Sequence, residues 1–70
     1  MATMKAKRGM SLSKAKKHAR KLGANIEGIH ATGEVRFSFR HGGMVIHNNR
    51  KKDASCKLVT ELRKAEKTIQ

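Results

Sequence analysis

The sequence predicts an α+β fold in the order α-β-β-β-α, a three-stranded antiparallel sheet with two helices packed on one face. Three observations carry this expectation. Apolar residues recur at helical spacing near both ends, as Leu12, Ala15, Ala19 and Leu22 and again as Ala54, Leu58, Leu62, Ala65 and Ile69. Between them Val35, Phe37 and Phe39 alternate with Glu34, Arg36, Ser38 and Arg40, the period-two pattern of a strand with one buried side. Gly33 and the pair Gly42-Gly43 bracket that strand as turn residues. Seventy residues allow one small domain with a modest core.

Residues 1–10 read as a flexible basic arm, with Lys5, Lys7 and Arg8 among small residues of no periodicity. The folded domain is expected over 11–70. Its first helix runs from Ser11, a capping residue, to Leu22, and Gly23 ends it. Lys14, Lys17, His18 and Lys21 fall on the outer face of that helix, with Lys16 and Arg20 at its flanks. Asn25 to His30 is a short strand carrying Ile26 and Ile29, where Gly28 hints at a bulge. Ala31-Thr32-Gly33 turns into the clear strand Glu34 to Arg40. A hairpin at His41-Gly42-Gly43 leads to a third strand, Met44 to His47, and Asn48-Asn49 closes it. The last helix is expected from Ala54 to Thr68 with Asp53 as its N-cap.

Seventeen Lys and Arg against five Asp and Glu give a formal charge of +12. Such a field favours polyanions. No apolar run approaches the roughly 20 residues of a spanning helix, and neither Trp nor Tyr is present for an interfacial belt, so no membrane partner is expected. A cytoplasmic protein is the expectation. Cys56 stands alone near the buried stripe of the last helix and reads as a packed, inert thiol. The two Phe are placed in the core rather than on a base-stacking platform, which favours a phosphate-dominated binding mode.

The run Asn49-Arg50-Lys51-Lys52-Asp53-Ala54 sets three consecutive cations before a helix start. A helix N-terminus carries unpaired N–H groups and partial positive charge, so Arg50, Lys51 and Lys52 with Lys57 are expected to make a phosphate-binding corner. The first-helix residues Lys14, Lys17, His18 and Lys21 extend this candidate surface. Arg36, Ser38 and Arg40 are expected on the open face of the sheet, where they suit DNA contacts as an alternative.

The segment from Thr32-Gly33-Glu34-Val35-Arg36-Phe37 through Arg40-His41-Gly42-Gly43-Met44-Val45-Ile46, together with Lys57-Leu58-Val59-Thr60-Glu61-Leu62-Arg63-Lys64, resembles the HicA family of mRNA-cleaving toxins of toxin–antitoxin modules. That resemblance implies a double-stranded-RNA-binding-domain-like fold and an antitoxin partner. The stretch Arg50-Lys51-Lys52-Asp53-Ala54 is similar to the Lys-Lys-x-Ala signature opening the last helix of double-stranded-RNA-binding domains. It implies that Lys51 and Lys52 bridge phosphates across a major groove, with the first helix toward the adjacent minor groove. The toxin family places its catalytic histidine after a glycine at the start of the second strand; here Glu34 occupies that place, after Gly33.

A cleavage site, if one existed, would be a metal-independent ribonuclease drawing on His30 or His47 as base, with Glu34 and Arg36. Histidines at strand ends are more often surface residues, as His18 and His41 also read. Of the carboxylates, only Glu27 and Glu34 are expected to approach each other, so no metal site or cofactor is expected. The expectation is therefore a binding protein rather than an enzyme. Structured RNA is favoured over DNA, and a role as inhibitor or subunit of a larger nucleoprotein complex is a further alternative.

Overall fold

A computed structural model describes residues 6–29 and 31–69, apart from the Ile69 side chain. Five elements follow in the expected order: α1 (Leu12–Lys21), β1 (Asn25–Ile29), β2 (Glu34–Ser38), β3 (Met44–Asn48) and α2 (Cys56–Ile69). The strands form one antiparallel sheet in the order β1-β2-β3. Phe37, Val45, Leu58 and Leu62 are its most deeply buried large side chains, and the cluster they belong to also takes in Leu12, Ala15, Ala19 and Val35. Both helices thus cover one side of the sheet. The alanines of α1 give it a flat inner surface that seats close to its neighbours.

Local chemistry explains the boundaries. Ser11 caps α1, its hydroxyl accepting from the Lys14 N–H at 3.2 Å. The helix ends in a left-handed glycine, Gly23 with φ +82°, while the Ala24 N–H reaches back to the Ala19 carbonyl and Gly23 N–H to Arg20. The β2–β3 connection is a tight turn in which the Gly42 N–H bonds the Phe39 carbonyl and the Phe39 N–H the Gly43 carbonyl. Gly42 there takes φ +98°, the left-handed position of a turn followed by a bulge. Because this turn consumes Phe39 onward, β2 stops at Ser38 rather than Arg40. Phe39 remains buried all the same. No bulge occurs at Gly28, which pairs with Val35 in regular register on an edge strand.

The start of α2 departs from expectation. An extended segment before it pairs with the entry to α1: Leu12 N–H bonds the Lys52 carbonyl at 2.7 Å, Ala54 N–H bonds the Met10 carbonyl at 3.0 Å, and Ser11 and Asp53 face each other as a bridge. Asp53 is thereby held extended and exposed and is not the cap. Ser55 takes that role, with its hydroxyl accepting from the Leu58 N–H at 3.2 Å and its carbonyl from Val59 at 3.0 Å. The later start leaves Cys56 exposed in the first turn, not packed in the core.

Of the stretch read as a free arm, residues 1–5 lie outside the described residues, and Ala6 to Met10 is docked. Ala6 and Met10 are buried in the core cluster. The Ala6 N–H donates to Glu66 at 2.8 Å, and Arg63 Nε donates to the Ala6 carbonyl at 3.1 Å.

Candidate nucleic-acid interface

The main-chain lacing between residues 10–12 and 52–54 has a functional result. It brings the run Asn49 to Lys52 against the first turns of α1. There an open depression of about 400 Å³ is lined by Leu12, Ser13, Lys16, Asn49, Arg50, Lys51 and Lys52. The loop is shaped by Asn48, whose side chain accepts from the Arg50 N–H at 2.9 Å and whose carbonyl accepts from Lys51 at 3.2 Å. Lys16 Nζ donates to Asn49 Oδ1 at 2.6 Å and so ties the helix to the loop. The cationic corner expected at the mouth of α2 is thus built on the N-terminal half of α1.

Lys16 was placed only at a flank by sequence reasoning, yet it lines the depression beside Arg50, Lys51 and Lys52. The signal was present: at about 100° per residue, Lys16 falls about 60° from Ser13 on the helix circumference. Lys14, Lys17 and Lys21 are exposed on α1, with Lys17 central on the outer face and Lys14 and Lys21 turned about 60° and 40° further from Lys16. Lys57 is exposed in the first turn of α2.

His18 does not belong to this surface. It is 4% exposed, and its Nε2–H donates to Glu66 Oε2 at 2.7 Å. On the helix circumference His18 lies about 40° beyond Leu22, at the edge of the apolar arc, so burying it widens the inner face of α1 on that side. Glu66, which also receives the Ala6 N–H, gives the buried imidazole its partner. His41 is half-buried rather than a surface residue: its Nε2–H donates to Glu61 Oε1 at 2.9 Å, and its ring stacks on Phe39 with centroids 5.7 Å apart. That hydrogen bond, followed by the nearby Lys64, holds the Glu61 carboxyl below the ordinary carboxylate range against the opposing effect of burial. A Cβ on Gly43 would overlap Glu61 Oε1 and His41 Nε2, so the pair lies directly on bare backbone.

The catalytic candidates do not assemble. His47, a candidate base with Arg36, points into the core, 3% exposed and in step with Val45, away from the face that carries Arg36. Its Nδ1–H donates to the Asn48 carbonyl at 2.9 Å and its Nε2 accepts from the Ser55 N–H at 2.9 Å. Both ring nitrogens are thus committed, Nδ1 to the end of β3 and Nε2 to the start of α2. His30 lies outside the described residues. Glu34 stands at the first position of β2, half-buried, and pairs across to Ile29 and Asn48. Glu27 does not meet Glu34; it forms an ion pair with Arg36, its register partner on β2. Among the described residues no three His, Cys, Asp or Glu side chains are grouped to hold a metal ion.

Arg36 and Arg40 part company as well. Arg36 sits on the open sheet face beside Glu27, on the side away from the helices. Arg40 lies in the turn after β2, its side chain laid across Gly23, with Cδ 2.7 Å from where a Cβ there would stand. No helix among the described residues is long and apolar enough to cross a membrane. No family model, no curated protein and no solved structure matches the chain.

Proposed function

We propose that this chain is a cytoplasmic binding protein for structured RNA, and that it grips the phosphate backbone with Lys16, Arg50, Lys51 and Lys52. One observation carries the reading: four cations from two chain segments line a single open depression beside the N-terminal turns of α1. Lys17 and Arg20 continue the positive surface along α1. The scarcity of exposed rings argues for shape and phosphate recognition over base stacking, since Phe37 and Phe39 are both buried.

The likeness to double-stranded-RNA-binding domains at Arg50 to Ala54, and to HicA-family toxins along β2, β3 and α2, supports the RNA partner and a double-stranded-RNA-binding-domain-like fold. Cleavage is not part of the proposal. Glu34 stands where that family has its histidine, and both nitrogens of His47 are already bonded. DNA reading by the sheet is disfavoured because Arg36 is paired with Glu27 on a face without lysine.

The test is a gel-shift series with duplex RNA, single-stranded RNA and duplex DNA, with RNA integrity checked on the same samples. Duplex RNA is expected to bind most tightly and to stay intact, and Lys51→Glu with Lys52→Glu to remove most of the affinity. Undiminished binding by that double variant, or loss on changing Arg36 and Arg40 instead, would refute the proposal.

A further inference from the structure

Charge is distributed unevenly over this molecule. Seventeen Lys and Arg are present in the chain, yet no lysine falls within β1, β2 or β3. On the open sheet face the charged residues are Glu27, Glu34 and Arg36, two acids against one base. The same face carries Met44 and Ile46, 56% and 51% exposed, the two large apolar side chains left most open among the described residues. The described lysines all lie in the segment before α1, in the two helices and in the loop between β3 and α2.

From this we infer that the open face of β2 and β3 is where two copies of the chain meet, sheet against sheet. Two bodies of charge +12 repel wherever cation faces cation. With a screening length of about 8 Å at physiological salt, charges close to the contact dominate. The strands carry no lysine, so on the open face two copies approach without bringing lysines of the sheet together. Other occupants fit less well: RNA is repelled by Glu27 and Glu34, and an acidic protein is drawn to the helix side. Sheets packed face to face stand about 10 Å apart, so Met44 and Ile46 of both copies fill the gap. Arg36 and the two glutamates then exchange ion pairs across the two-fold axis. A face of three five-residue strands is small, so the association is weak and concentration-dependent. In the pair, each cationic helix side points outward and stays available.

The salt response separates this contact from RNA binding. Added salt screens the mutual repulsion and strengthens the dimer, whereas it weakens a phosphate contact. Sedimentation velocity on the full chain, freed of nucleic acid, tests the inference over a protein concentration series at low and high sodium chloride. The expected result is a dimer that grows with concentration and with salt. Ile46→Lys and Met44→Lys, at positions outside the core, are each expected to weaken it at least about tenfold by placing like charges across the axis. Amide-shift mapping on dilution of the unmodified protein gives a second readout, with changes expected on β2 and β3. A monomer throughout, a dimer weakened by salt, a dimer indifferent to both lysine variants, or shifts confined to α1 and α2 would each overturn the inference.

Discussion

Lys16 gives the sharpest test of the corner, because the fold rather than the chain order brings it to Arg50, Lys51 and Lys52. Each phosphate neutralised contributes about −0.9 to the slope of log affinity against log salt for a duplex. Four cations therefore give a slope of about −3.6, and raising salt from about 50 to 200 mM should lower affinity about 150-fold. Lys16→Ala removes one contact, so the slope should relax to about −2.7 and the loss to about 40-fold. Lys51→Ala with Lys52→Ala should bring the slope to about −1.8 and the loss to about 12-fold. Fluorescence anisotropy of a labelled RNA duplex, titrated at several salt concentrations, measures all three slopes. The Lys16 ammonium keeps donors to spare beyond the one given to Asn49, so that bond does not remove it from the count. An unchanged slope in Lys16→Ala would show that α1 takes no part, and the corner as described would fall.

The remaining predictions concern the fold that holds the corner. Gly43→Ala should cost about 1–3 kcal/mol through forced displacement of the His41–Glu61 pair, read by denaturant unfolding. Ser55→Ala should destabilise by about 1 kcal/mol as a lost cap while Asp53→Ala changes helix stability little; the reverse ranking would return the cap to Asp53. The folded-state carboxyl of Glu61 is held low, so its contribution is present above the ordinary glutamate range near pH 4.3 and is lost as pH falls through its lowered value. Melting curves from neutral to acidic pH should accordingly fall less steeply for Glu61→Gln than for the unmodified chain.

Much of this architecture was legible in the residues. Period-two alternation placed Val35 and Phe37 in the core, and Ser11 and Gly23 marked the ends of α1 correctly. Two kinds of information were not local. The extended pairing of residues 52–54 with residues 10–12 delays α2, transfers the cap from Asp53 to Ser55 and turns Cys56 outward. No short window of sequence contains that pairing. The second is the burial of histidines. His18 and His47 are polar residues whose partners, Glu66 and the Ser55 N–H, lie 48 and 8 positions away, and helical spacing for the one and a strand-end position for the other placed both at the surface. Arg36 was correctly put on the open face, but its pairing with Glu27 depends on the β1–β2 register and removes it from the cationic surface.

The grip on Ala6 has a practical consequence for where this domain starts. Glu66 and Arg63 hold the N–H and carbonyl of one residue, so what they recognise is backbone, not a side chain. A truncation beginning at Ser11, the boundary that patterning alone would choose, strips the cover from the His18–Glu66 pair and removes Met10, whose carbonyl receives the Ala54 N–H. Expression boundaries should therefore retain Ala6 onward, and a tag joined there will leave the molecule beside the C-terminal half of α2.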